Sequence, residues 1–254
     1  MRFASLGSGS RGNGTLIRSA DTTLLVDCGF SAREATERLQ RQGVDPTSIT
    51  AILVTHEHDD HIGGVGVLAR KFNLPAWMTE GTRRSAQHIL GSIPSLNIFS
   101  SHEAFDIGDV HVDPIAVPHD ASEPSQFVFG DGDVRIGLLT DVGRCTPHIC
   151  RLLSGVQALL LEFNHDEQML REGPYPESLK QRVGGTLGHL SNTQSADLLR
   201  QIDTQHLRHL VAMHLSQQNN LPDIVQRTAA AALQWDLDQI GIANQDHGYN
   251  WTEV

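Results

Sequence analysis

Five short apolar runs in this chain stop abruptly at a histidine or a carboxylate. Ala51-Ile52-Leu53-Val54-Thr55 runs into His56-Glu57-His58-Asp59-Asp60-His61, and Val112–Val117 runs into Pro118-His119-Asp120. Ile136–Thr140 ends at Asp141, Ala158–Leu161 at Glu162-Phe163-Asn164-His165-Asp166, and Leu210–Met213 at His214. Short aliphatic and β-branched runs of this kind read as buried strands, and longer amphipathic stretches alternate with them. Strand ends can converge at one edge of a sheet, on a scaffold rigid enough to aim several side chains at one ion. The pattern predicts a layered α/β fold whose chemistry lies at strand ends.

Strands are expected at Thr15–Ile17, Thr22–Val26, Ala51–Thr55, Ala76–Met78, Val110–Val117, Gln126–Phe129, Val134–Leu139, Ala158–Glu162 and Leu210–Met213. Helices are expected at Ser31–Gln42, Gly64–Phe72, Thr82–Leu90, Pro147–Leu153, Pro176–Val183, Thr193–Gln201 and Pro222–Trp235. Gly130-Asp131-Gly132-Asp133 lies between two strand patterns and reads as a hairpin turn. The glycine-rich stretch from Gly7 to Gly14 is followed by a strand pattern rather than a helix, so it reads as a turn between strands and not as a dinucleotide loop. Its backbone could still line a site, which makes Asn13 a candidate substrate contact. No linker or repeat interrupts the chain, so one layered domain is expected over residues 1–254.

Composition narrows the class. With 30 acidic and 19 basic residues the net charge is −11, which argues against a general polyanion binder. The first ten residues lack an apolar core, so no secretory leader is expected. No run approaches the roughly 18 apolar residues that cross a bilayer. The 3 cysteines (Cys28, Cys145, Cys150) cannot make a disulfide framework. A cytoplasmic protein without membrane contact is expected, and nothing signals an oligomeric state. The unusual feature is 14 histidines.

His56-x-His58-x-Asp60-His61 concentrates three imidazoles and a carboxylate, a ligand set for transition metals. The spacing differs from the helical HExxH motif, because helix positions i and i+2 point apart. In a loop leaving a strand, His56 and His58 can face one ion while Asp60 and His61 face a neighbour. His189 and Asn192 precede a helix pattern. Ser191 or Asn192 could simply cap that helix, while His189 could contact a phosphate or protonate a leaving oxygen. His165, beside Asn164, poses the same choice between a structural histidine and a substrate contact.

These residues resemble the metallo-β-lactamase fold superfamily from Leu24 to Asn220. Asp27 matches its first motif, His56, His58, Asp60 and His61 its HxHxDH motif, and His119, Asp141 and His214 the three later ligands. The resemblance implies one ion on His56, His58 and His119, a second on Asp60, His61 and His214, and Asp141 bridging. Asp27 would hydrogen-bond the HxHxDH loop rather than bind metal. The implied fold is an αββα four-layer sandwich. The short interval from Asp141 to His214 leaves no room for the inserted cap domain of the RNA-processing nucleases of this fold.

Further blocks narrow the resemblance. Leu161–Asp166, Gly173-Pro174-Tyr175-Pro176, Gly188-His189-Leu190-Ser191-Asn192 and His214–Pro222, with Ser8-Gly9-Ser10-x-Gly12-Asn13, look like the YycJ (WalJ) family nearly end to end. Arg11 and Gly14 depart from it, where small residues or cysteine are common in relatives. That family is associated with 5′→3′ DNA exonuclease activity. The resemblance therefore implies a phosphodiesterase on two divalent ions (Zn, Mn or Fe) that acts at a DNA 5′ end. Asp60 and His189 are the expected catalytic residues, and Asn13, Asn164, His165 and Asn192 the expected substrate contacts. The alternatives are hydrolysis of a small phosphodiester or thioester, and a non-catalytic metal-binding repair partner. An open groove with Arg or Lys along it favours DNA, and a deep narrow pocket favours the small substrate.

Overall fold

A strand buried on both faces needs cover on both, and side-chain alternation decides what covers each. The computed structural model describes residues 1–254 and contains two seven-stranded sheets. The first holds β1 (Arg2–Gly7), β2 (Gly14–Ser19), β3 (Thr22–Val26), β4 (Ala51–Leu53), β5 (Pro75–Met78) and β6 (Ser95–Ile98) in that order. The second holds β7 (Phe105–Ile107), β8 (Val110–Ala116), β9 (Ser125–Gly130), β10 (Arg135–Leu139), β11 (Ala158–Glu162), β12 (His209–Met213) and β13 (Ile240–Ile242). The last strand, β14 (Tyr249–Glu253), returns to the first sheet and pairs with β1.

Leu24 and Val26 of β3 meet Leu160 of β11 in a core between the sheets. Leu25, between them in sequence, packs outward with Leu39 of α1 (Ala32–Arg41) and Leu68 of α3 (Val65–Phe72). On the far side Leu159 and Leu161 pack with α6 (Pro147–Leu153), α9 (Asn192–Gln201) and α10 (Pro222–Leu233). Helices thus flank both sheets, and the result is the expected αββα sandwich, with no separate cap domain. No helix is long and apolar enough to cross a membrane.

β3–β4 and β10–β11–β12 are parallel pairings, so the carboxyl ends of these strands open at one edge of each sheet. Asp27, Thr55, Asp141, Phe163 and His214 stand just beyond those ends, the usual place for a ligand site in a parallel sheet.

The structure departs from the sequence reading in several elements. β1, β6, β7, β13 and β14 were not anticipated. β6 and β7 are edge strands, short and partly exposed, and lack a clean apolar signature. The single helix expected at Thr82–Leu90 is two, α4 (Glu80–Ser85) and α5 (Gln87–Leu90), meeting at Ala86. The HxHxDH segment is not wholly a loop, because Asp60 and His61 lie in α2 (Asp59–Ile62). Asp59 and Asp60 in its first turn suit the positive end of a helix. α7 (Glu167–Glu172) was also missed, whereas α8 (Glu177–Val183) falls within the expected range. The expected hairpin turn joins β9 to β10, and the glycine-rich stretch joins β1 to β2.

Candidate metal centre

Each of five histidines at the strand ends has one ring nitrogen tied to the protein and the other turned toward its neighbours. His61 Nδ1 lies 2.7 Å from Asp27 Oδ2, and His119 Nδ1 lies 3.0 Å from the Gly188 carbonyl. His56 Nδ1 is 2.9 Å from Thr55 Oγ1, and His58 Nε2 is 3.1 Å from the Asp120 carbonyl. His214 Nδ1 is 3.4 Å from Glu162 Oε1. Such ties fix the tautomer and leave the opposite nitrogen as a lone-pair donor, as in metal-ligating histidines.

The free nitrogens converge. His58 Nδ1 is 3.0 Å from His56 Nε2 and 3.3 Å from His119 Nε2. Asp60 Oδ2 is 3.7 Å from His61 Nε2 and 3.6 Å from His214 Nε2. Asp141 joins the groups, with Oδ2 at 3.0 Å from His61 Nε2 and Oδ1 at 3.2 Å from His214 Nδ1. Buried Asp141 Oδ2 and His214 Nε2 nevertheless make no hydrogen bond. A buried polar atom without a partner costs about 1–3 kcal/mol. Two such atoms inside a cage of lone pairs fit a pair of divalent cations. His56, His58 and His119 form one ligand group, and Asp60, His61 and His214 another.

Asp27 organises the cage from below. Its carboxylate accepts hydrogen bonds from the Thr55 amide and hydroxyl, both at 2.8 Å, as well as from His61. Since Thr55 Oγ1 donates to Asp27, it accepts from His56 Nδ1, so one carboxylate orients two histidines. Gly29 is required nearby, because a Cβ there would run into the Asp60 carbonyl oxygen.

Three of the strand-end residues, Asp27, Asp141 and His214, have left-handed backbone (φ 62°, 50° and 56°). This region is uncommon for side chains other than glycine, and such strain gathers at functional sites. The surroundings hold each in place. The Asp27 amide donates to Leu53 O, and Glu162 Oε2 accepts from the amide after Asp141. The His214 amide donates to Ser8 Oγ, while its carbonyl accepts from Asn164 Nδ2.

Charge divides the centre unevenly. Burial, reinforced by neighbouring histidines, holds His56 well below the ordinary imidazole range, and burial also lowers His119. Burial likewise opposes the charged form of His61, yet Asp141, Asp60 and Asp27 outweigh it and raise His61 well above that range. His214 is pushed up to about 10 by Asp141, Asp60 and Glu162 against the pull of burial. Asp141 is held well below the carboxylate range by His214 and His61, despite complete burial.

Glu162 was not singled out as a site residue, although it ends an apolar run as Asp141 nearly does. Fully buried, it receives His189 Nδ1 at 2.7 Å and the amides of Val142 and Leu190 at 3.0 Å. Burial would raise its carboxyl, but His189 and His214 bring it down to about 2. His189 rises in turn, Glu162 overcoming the effect of burial.

His189 faces a cavity of 340 Å³ together with His58, Asp60, Asp141, Asn164 and His214. The other expected substrate contacts do not line it. Asn13 knits the glycine-rich loop to α2 through Gly9 and the Asp60 carbonyl, and its Nδ2 sits against the candidate ligands, 3.3 Å from Asp60 Oδ2 and 3.0 Å from His61 Nε2. His165 opens on a neighbouring cavity with Lys180 and Ser191. Asn192 is buried and paired with Asn220 at 2.9 Å, because Ser191 takes the helix cap with a full capping box. Asp120, Tyr175 and Arg182 line the main cavity and had no assigned role.

A family model described as the metallo-beta-lactamase superfamily matches residues 7–202. The chain is 36% identical to exodeoxyribonuclease YycJ of Bacillus anthracis, over 97% of this chain and 94% of that protein. It is 35% identical to exodeoxyribonuclease WalJ of Streptococcus pneumoniae, over 93% and 90%. Among solved structures, the metallo-beta-lactamase fold protein YhfI from Bacillus subtilis superposes with a TM-score of 0.77 at 16% identity, covering 99% of both chains. The ligand clusters at the strand ends and these matches agree, and the chain belongs to the metallo-β-lactamase superfamily and, within it, to the YycJ/WalJ-like family of metal-dependent hydrolases.

Proposed function

We propose that the chain is a 5′→3′ DNA exonuclease of the cytoplasm, built as one metallo-β-lactamase domain over residues 1–254. The observation that carries this reading is the similarity, across nearly the whole chain, to a protein described as an exodeoxyribonuclease. His56, His58 and His119 would hold one ion, and Asp60, His61 and His214 the other, with Asp141 between them. A donor set of imidazole and carboxylate suits Zn, Mn or Fe. When bound, such ions supply Lewis acidity and lower the pKa of a water.

The chain's own residues do the rest. Asp60, at the cavity wall, accepts a hydrogen bond from the attacking water and orients it. His189 has Nδ1 committed to Glu162, which leaves Nε2 to act on substrate. Glu162 raises its pKa, which favours the protonated form that can give a proton to the leaving 3′ oxygen. The water oxygen forms the new bond to phosphorus as the bond from phosphorus to the 3′ oxygen breaks. Asn164 lines the cavity, with its amide nitrogen spent on the His214 carbonyl.

Hydrolysis of a small phosphodiester or thioester is the second reading. It is favoured by a cavity near the lower end of small-ligand sites, lined by four aspartates and one arginine. The deciding experiment is cleavage of a 5′-labelled duplex beside bis-p-nitrophenyl phosphate and a thioester, with EDTA and Asp60→Ala as controls. Loss of DNA from the 5′ end, abolished in both controls, is expected. Intact DNA with rapid turnover of a small substrate would leave the second reading.

A further inference from the structure

Arg182 is the one lysine or arginine that lines the main cavity, against Asp59, Asp60, Asp120 and Asp141. It comes from α8, a helix that buries no residue in any core. Its Nε donates to Asp120 Oδ2 at 2.6 Å, while its two terminal amino groups bond to nothing in the protein. Asp120 is itself fixed. Its amide donates to the Leu187 carbonyl, and Oδ1 lies 3.4 Å from His119 Nε2. The carboxylate therefore spans from a candidate metal ligand to the guanidinium and sets the plane of its fork. A guanidinium with one edge anchored and two donors free is shaped for two parallel hydrogen bonds to a phosphate.

A nucleic-acid end that carries a 5′-phosphate brings two phosphates into this acidic cavity. Bound divalent ions would offset the scissile one. The terminal phosphate, which carries more charge, has a single remaining permanent cation. We propose that Arg182, aimed by Asp120, grips the terminal 5′-phosphate and makes the site select 5′-phosphorylated over 5′-hydroxyl ends. The proposal rests on the exonuclease reading. It is also self-consistent with that chemistry, because breaking the bond from phosphorus to the 3′ oxygen leaves each new end with its 5′-phosphate.

The test compares degradation of one oligonucleotide with a 5′-phosphate and with a 5′-hydroxyl, each by the metal-loaded wild type, Arg182→Gln and Arg182→Lys. The ratio of the two rates is internal to each variant, so a general loss of activity cancels. A wild-type ratio of about tenfold or more is expected, as for a charge-assisted bidentate contact. It should fall to near one in Arg182→Gln and be partly kept in Arg182→Lys, which has the charge without the fork. A wild-type ratio near one, or a full ratio in Arg182→Gln, overturns the proposal. If bis-p-nitrophenyl phosphate is hydrolysed but neither oligonucleotide is, the exonuclease reading has failed. Arg182 is then judged by inhibition of that hydrolysis. Stronger inhibition by deoxyadenosine 5′-monophosphate than by deoxyadenosine, lost in Arg182→Gln, supports it, and equal inhibition overturns it.

Discussion

His56, His58 and His119 form a ligand group without a carboxylate, whereas Asp60, His61 and His214 are crowded by Asp27, Asp141 and Glu162. In the first group burial and the neighbouring histidines favour the neutral forms of His56 and His119. The second holds protons on His61 and His214, because the carboxylates outweigh burial. A cation entering the first group displaces water, and one entering the second displaces protons as well. Two sites a few ångströms apart are thereby made to answer differently to pH.

The sharpest way to break this contrast is Asp60→Ala, which removes a ligand from the acidic group alone. Turnover should disappear while metal analysis still finds the ion held by His56, His58 and His119. Equal loss of both ions would show that the groups are not separable. Next in size, His189→Gln should lower the rate by on the order of 100-fold or more, the usual worth of a positioned proton donor. Its metal content should be largely kept, since His189 Nδ1 is hydrogen-bonded to Glu162 and only abuts Asp141, at 3.5 Å.

Asp27→Asn tests the two groups together, because Asp27 holds His61 directly and His56 through Thr55. Metal affinity should drop by about 10–100-fold, as for other outer partners of ligating histidines. Competition against a chelator would read it, and an effect confined to one ion would undo the shared-carboxylate account. The smallest effect is the proton count. Calorimetric titration in buffers of different ionisation enthalpy should find more protons released near neutral pH by the acidic group than by the other.

The same shift fixes the pH response of the metal-free protein. The folded pKa of His214, about 10, lies above the 6.5 of an ordinary imidazole. Its stabilising contribution is therefore complete below about pH 6.5 and is lost as pH rises through 10. The thermal midpoint of chelated protein should fall over that window, and a flat profile would mean that His214 is not held as a cation.

The legibility of the two groups also differs. His56, His58, Asp60 and His61 announce themselves by spacing, since few other demands put such residues within six positions. His119, Asp141 and His214 are single residues, visible only as stops to apolar runs and through the superfamily resemblance. Alternation and run length likewise foretold the central strands and both layers of helices. Backbone conformation was not readable, because nothing in the types Asp27, Asp141 and His214 demands left-handed φ. The contacts that hold it, from the Leu53 carbonyl, Ser8, Asn164 and Glu162, come together only in the fold. Glu162 and His189 are 27 residues apart and join only when β11 meets the segment before α9. Asn192 misled because its neighbour Ser191 took the cap, which turned the amide inward to Asn220.

The Arg171–His189 segment contributes no side chain to any of the three apolar cores, whose nearest members in sequence are Phe163 and Leu190. Yet it supplies Tyr175, Leu179, Arg182, Val183 and His189 to the cavity wall. Folding and substrate choice are thus written in different stretches of chain. Selection could rewrite most of this loop and helix, and with them what the cavity admits, without disturbing the strands that carry the candidate metal ligands.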